Sequence, residues 1–162
     1  MKVLVFDADA LIKIARAGFL EKVSREFECV VPREVEREAV EAGKKKMFED
    51  ALAIEQLIRA GLVKVREARG ERVSGLGLGE LASLALYEKT GADAIVSDDR
   101  KFLAALQEKQ IPFTTPTQLL AAMAMAGKIK AIEALSHLRA LKPWVSENSF
   151  QTAFEQIKGE KK

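Results

Sequence analysis

The stretch GLGLGELASLALYEKTGADAIVSDDRKF, from Gly75 to Phe102, decides the fold. It reads as helix, turn and strand, with carboxylates at both ends. Leu81, Leu84 and Ala85 recur at helical spacing, and Ala82 and Leu86 widen the apolar face. Thr90-Gly91 stops the helix. Ala94 to Ser97 is a short apolar strand, and Asp98-Asp99 follows at once. A helix of about ten residues is about 15 Å long, and a strand of about four residues covers roughly 13 Å. The chain therefore runs down and returns by nearly the same distance. Glu80, Asp98 and Asp99 are expected near one edge of the domain.

Working outward, the same alternation fills the chain. Lys2 to Phe6 is a buried-type strand ending at Asp7, with Asp9 as N-cap of a helix from about Ala10 to Ala17 that Gly18 closes. Phe19 to Arg25 reads as a short helix and Phe27 to Val31 as the second strand. Pro32 opens a helix that continues from Arg33 to Ala42. Phe48 to Ala60 is helical, Leu62 to Val65 is the third strand, and Glu67 to Val73 is a polar loop. Beyond the opening stretch, Lys101 to Lys109 is helical and Pro112 to Thr115 is a fifth extended segment. Gln118 to Ala126 is helical, and two tail helices split at Pro143. Strands alternating with helices imply a layered α/β sheet, mostly parallel. Residues 1–126 form the expected domain. Residues 127–162 form a helical extension packed on it or on a partner subunit.

Composition narrows the class. The chain has 162 residues, 48% of them apolar, which is enough for a core. The formal net charge of +2 is compatible with a nucleic-acid partner without pointing to one. The sole cysteine, Cys29, lies in an apolar run and reads as a buried structural thiol. The apolar run Val3 to Phe6 is too short for a signal peptide or a membrane span, so a reduced, cytoplasmic location is expected. One histidine, His137, leaves zinc sites poorly supported and reads as a surface or packing residue. Trp144, after Pro143, reads as an anchor for the tail.

In parallel α/β sheets ligands collect at the C-terminal ends of strands. That rule selects Asp7 and Asp98-Asp99, and it passes over Asp93, which precedes its strand. On the helix after the second strand, Val35, Ala39 and Ala42 form the apolar stripe, and Glu38 falls on or beside that side. Glu36 and Glu41 are better placed for solvent. A carboxylate beside a buried stripe is costly unless paired with a cation or a metal. Two carboxylates 4 Å apart repel by about 4 kcal/mol at an effective dielectric near 20. If Asp7, Glu38, Glu80 and Asp99 converge, a counter-charge is required. Arginine or lysine would make the cluster structural. All-oxygen ligation by a divalent ion would favour Mg²⁺ or Mn²⁺ over zinc, and such a site activates water and stabilises charge on a phosphodiester. GLGLG lacks the spacing of a phosphate-binding loop and reads as a lead-in that places Glu80 in a first helical turn.

Together VFDADALI with Asp7, VPREVEREA with Glu38, GLGLGELASLA with Glu80 and VSDDRKF with Ser97 and Asp99 resemble a PIN-domain ribonuclease. The similarity spans about Lys2 to Leu120, and the tail resembles that of a prokaryotic subfamily related to VapC toxins. The resemblance implies a three-layer α/β/α sandwich with added C-terminal helices. It implies a metal-dependent endoribonuclease, with Asp7, Glu38, Glu80 and Asp99 holding Mg²⁺ or Mn²⁺. Asp98 would be a further ligand or outer group, and Ser97 would orient a ligand or water. Lys13, Arg33, Arg100 and Lys101 are candidates for phosphate contacts. The implied partners are single-stranded RNA, a small antitoxin inserting near the acidic cleft, and a second copy of the chain in a homodimer. The sequence departs from the family pattern at Asp9, where a small polar residue is usual, and in having glutamate as the third acid.

Plainer readings stand beside these. Asp7 would cap the first helix, Glu80 would be a favourable charge at a helix start, and one of Asp98 and Asp99 would cap the next helix. Two rival functions follow. Asp7-Ala8-Asp9 resembles the nucleophile and acid of a haloacid-dehalogenase-type phosphatase, which would leave Glu38 and Glu80 unexplained. The other rival is a non-catalytic nucleic-acid-binding module on the same fold.

Overall fold

The computed structural model describes residues 1–69 and 75–159. The chain begins with β1 (Val3–Phe6), α1 (Ala8–Arg16), α2 (Leu20–Glu26) and β2 (Glu28–Pro32). One winding segment follows, made of α3 (Arg33–Glu36), a π-helical stretch (Arg37–Glu41) and α4 (Ala42–Lys45). Next come α5 (Glu49–Arg59), β3 (Val63–Arg66), α6 (Leu78–Thr90), β4 (Ala94–Val96) and α7 (Arg100–Glu108). The chain finishes with β5 (Phe113–Thr114), α8 (Pro116–Met125), α9 (Ala131–Leu141), a 3₁₀ turn (Lys142–Trp144) and α10 (Glu147–Gly159). The polar loop expected from Glu67 to Val73 falls partly outside the described residues.

All five strands pair in parallel, in the order β3-β2-β1-β4-β5. The chain builds outward from β1 through β2 to β3, then crosses back to add β4 and β5 on the other side. The order reverses between β1 and β4, where Phe6 stands opposite Val96. A crevice opens at such a switch point, beyond the carboxyl ends of the strands.

Strand alternation divides the core between two faces. Leu4, Phe6, Cys29, Val31 and Val96 face a layer holding Leu11 and Ile14 of α1, Val23 of α2, Ile54 of α5 and Leu120 of α8. Val5, Val30 and Ile95 face the opposite layer, with Leu84 and Leu86 of α6 and Phe102 and Leu106 of α7. This is a three-layer α/β/α sandwich. Leu138 of α9 and Phe150 and Ile157 of α10 belong to the first of these clusters. Fully burying each such side chain contributes roughly 1.5–3 kcal/mol.

Two local expectations change. The cap of the first helix is Asp7, whose Oδ1 accepts from the Ala10 amide at 2.9 Å; Asp9 sits two residues further in, within the first turn, and pairs instead with Lys13 at 2.9 Å. The helix after β2 is not a uniform α-helix. Its π-helical turn inserts extra chain, so the inward position beyond Ala39 passes to Val40 and Gly43 while Ala42 is only half-buried. Ser83 is a fully buried position that the apolar stripe of α6 does not anticipate; its hydroxyl donates to the Gly79 carbonyl at 2.8 Å. Asp93 accepts from the Val3 amide at 2.7 Å, so it ties the strand entry rather than the site.

Candidate active site

Asp7 occupies the single position between β1 and α1. Its backbone amide extends the sheet by donating to the Val96 carbonyl at 3.1 Å. Its side chain is then held from two directions, by the Ala10 amide on Oδ1 and by the Ser97 hydroxyl, which donates to Oδ2. Ser97 is fully buried and also accepts from the Asp99 amide at 3.2 Å. The serine therefore links the end of β1 to the end of β4 across the switch point. Among the described residues no cation pairs with Asp7, which is only 5% exposed. Burial pushes its pKa up from 3.8 to about 7, against the lowering by the Ser97 and Ala10 hydrogen bonds, and the nearby charges of Asp9 and Glu80 push it further up.

A cleft of about 680 Å³ opens over this carboxylate, lined by Asp7, Asp9, Glu34, Arg37, Glu38, Glu80 and Asp99 together with Ala8 and the Gly77-Leu78-Gly79 backbone. Asp7, Glu38, Glu80 and Asp99 are thus brought to one cleft from four separate elements. Glu80 reaches back so that its Oε1 accepts from the Gly77 amide at 2.9 Å. Asp99 caps α7, its Oδ1 accepting from the Phe102 amide at 2.9 Å. Glu38 approaches α6, its Oε2 lying 3.6 Å from where a Cβ on Gly79 would stand. Glu38 is exposed, not inward-facing, and more open than Glu36, because the π-turn shifts the helical phase.

Asp98 does not line this cleft. Its Oδ2 accepts from the Lys13 Nζ at 2.8 Å, and Lys13 also binds Asp9. Burial pulls the Lys13 pKa down, but the bonds from Asp98 and Asp9 outweigh it and raise the value. Lys13 is therefore committed to two carboxylates. Arg33 is engaged by Glu36 at 2.9 Å and by Glu67 at 3.9 Å. Arg100 and Lys101 are exposed and do not line the cleft; Lys101 lies beside Gly75. His137 is a packing residue, with Nδ1 hydrogen-bonded to the Ala17 carbonyl at 2.8 Å and its ring tilted against Phe19. Two cleft residues escape the sequence reading, Glu34 and Arg37. Glu34 lies four residues before Glu38, and that spacing is the signal that both share a flank of the helix.

A family model described as a PIN domain matches residues 3–159. The chain belongs to the PIN-domain family. Neither the curated proteins nor the solved structures hold a match to it. PIN domains are generally nucleases, typically dependent on divalent metal.

The donor set suits a hard cation, since every candidate atom is a carboxylate oxygen. A buried carboxylate without a cationic partner, among further carboxylates, is a site short of positive charge. Among the described residues no group of three or more His, Cys, Asp or Glu side chains stands close enough to form a ready ligand cluster. The acids ring the cleft, and some of their oxygens are turned to capping, on Glu80, Asp99 and Asp7. Also among the described residues, no helix is long and apolar enough to cross a membrane.

Proposed function

We propose that this PIN domain is a metal-dependent endoribonuclease acting on single-stranded RNA. The observation that carries the reading is Asp7, a buried carboxylate without a cationic partner among the described residues, placed by the sheet at the switch point and sharing one cleft with Glu38, Glu80 and Asp99. Asp7, Glu38, Glu80 and Asp99 would hold Mg²⁺ or Mn²⁺. A bound divalent ion acidifies water and stabilises the charge that grows on a phosphodiester. The chain's own residues do the rest. Ser97 and the Ala10 amide hold both oxygens of Asp7 in one orientation, which fixes the deepest donor of the site. Burial raises the Asp7 pKa to about 7, so a cation held there would compete with a proton and bind more tightly as pH rises. Glu34 and Glu38 at the rim disfavour an anionic strand until that charge is offset.

The deciding experiment is cleavage of labelled single-stranded RNA, structured RNA and single-stranded DNA by wild type and Asp7→Asn, each with Mn²⁺, Mg²⁺ or EDTA. Metal-dependent cleavage that is lost in the variant is expected. Equal cleavage by both proteins would identify a contaminant. The spread of the carboxylates around the cleft favours a second reading, a non-catalytic nucleic-acid-binding module. Binding of RNA without cleavage under any of these conditions would select it. We further propose a toxin role, opposed by a small antitoxin protein that inserts a segment near the cleft, and a homodimer as the working unit in the cytoplasm. Growth arrest on expression that Asp7→Asn abolishes would support the toxin step, and sedimentation velocity tests the dimer.

A further inference from the structure

The acidic cleft has an arginine-bearing neighbour of mixed charge. The helical turn from Arg33 to Glu38 walls it off from a smaller hollow of about 270 Å³, and Glu34 and Arg37 line both spaces. Arg33, Glu67 and Arg69 line the hollow alone. Charge is only partly divided along this turn, with Glu38 confined to the cleft and Arg33 to the hollow. Glu34 and Glu38, four residues apart, both line the cleft, while Arg33 and Arg37, also four apart, both line the hollow. Like charges at that spacing repel, so the arrangement works against the helix's own stability. Arg33 is relieved by Glu36. Arg37 forms no ion pair or hydrogen bond with any described side chain, although Glu34 and Glu38 are its neighbours on the wall. It is exposed and opens the π-helical stretch, a geometry frequent at functional sites.

An exposed guanidinium at the border between the acidic cleft and a hollow that holds two further arginines suits a polyanion that must occupy both. A phosphodiester strand with one phosphate over the acids carries its next phosphate toward the border. There a planar fork of donors is suited to receive it. We propose that Arg37 binds the phosphate adjacent to the scissile one and that the strand leaves the cleft across the hollow lined by Arg33 and Arg69. The inference rests on the nuclease reading of the cleft and deepens it. Arg37 is a positioning residue, which sets the register of the strand and takes no part in bond breaking.

The test measures fluorescence anisotropy of a short labelled single-stranded RNA over a salt series, with the full chain carrying Asp7→Asn to prevent cleavage. Adding Arg37→Gln is expected to raise Kd about fivefold and to lower the slope of log K against log salt by about 0.7, the share of one single-strand phosphate contact. Arg37→Lys should recover the slope but only part of the affinity, because a point charge lacks the fork. Arg59→Gln, at a surface arginine paired with Glu55, should change neither quantity. In turnover by the otherwise wild-type chain, Arg37→Gln should raise KM and leave kcat within about twofold. The same loss is expected on single-stranded DNA, and a loss confined to RNA overturns the phosphate assignment. Unchanged Kd and salt slope in Arg37→Gln, with RNA still bound, overturn the inference and leave the nuclease reading standing. A wild-type chain that neither binds nor cleaves any nucleic acid overturns both.

Discussion

Asp7 joins several roles in one side chain: helix cap, partner of Ser97 and deepest acid of the cleft. Its cost is electrostatic and has a sign. The folded chain holds the Asp7 proton up to about pH 7, whereas the unfolded chain releases it near 3.8. Between those values the folded state binds more protons, so Asp7 makes stability fall as pH rises through about 4 to 7 and leaves it level above. The full difference is about 4 kcal/mol at most. Asp7→Asn is therefore expected to melt several degrees higher than wild type at pH 8, with the gap narrowing through pH 5 and closing only below about pH 4, as followed by circular dichroism. Mg²⁺ or Mn²⁺ should raise the wild-type melting temperature at pH 8 and leave Asp7→Asn unmoved; equal shifts in both would remove Asp7 from the ligand set. Lys13 supports the same strand ends differently. Lys13→Met strands the half-buried Asp98 without its cation and should cost about 1–3 kcal/mol. Adding Asp98→Asn should return part of that in a denaturant titration, whereas a merely exposed pair would show no coupling.

The segment after β2 shows how an element changes what a residue means. Read with a 3.6-residue period, Glu38 falls beside the apolar stripe and Ala42 points inward. The π-turn over Arg37–Glu41 moves the phase, which leaves Glu38 exposed on the cleft wall and puts Gly43 against α5. A Cβ at Gly43 would lie 2.8 Å from the Ala51 Cβ, closer than side chains approach. Gly43→Ala should therefore destabilise the fold by about 1–3 kcal/mol, despite alanine's better helix propensity. Ala51→Gly in the same chain should restore part of the loss in urea unfolding. A stabilising Gly43→Ala would contradict the close approach of α4 to α5. Nothing in Arg37 to Glu41 taken as letters marks a π-turn, because the extra chain is absorbed by contacts with α1 and α5.

At the scale of the molecule, the tail and the body share one core. Leu138, Leu141, Phe150 and Ile157 cluster with Leu11, Phe19 and Leu120, and the guanidinium of Arg16 lies over the rings of Trp144 at 4.8 Å and Phe48 at 5.3 Å. Removing residues 127–162 would open the buried face of α8, including Leu119, Leu120 and Met123. The truncated chain is expected to lose cooperative melting and to bind a hydrophobic dye. Trp144 is the sole tryptophan, so its emission reports tail docking directly. Its unfolding midpoint in urea should coincide with that of far-ultraviolet circular dichroism, and a separate, earlier tail transition would contradict a shared core.

The sequence by itself determined the α/β alternation, the parallel sheet, and the strand ends that carry Asp7 and Asp99. Those features follow from local chemistry: short apolar runs, glycine and proline stops, and acids immediately after strands. The PIN resemblance was legible from the same motifs in order. Only the tertiary structure decided how the acids are used. Asp98 turned to Lys13 because β4 ends beside α1, a neighbour 85 residues away along the chain. Asp99 became both cap and cleft residue, and Ser97 came to hold Asp7 once β1 and β4 paired. Glu34 and Arg37 joined the site because the winding of their helix depends on what packs behind it. Hydrophobic pattern is encoded locally, whereas the direction of a charged side chain is settled by partners that only folding brings within reach.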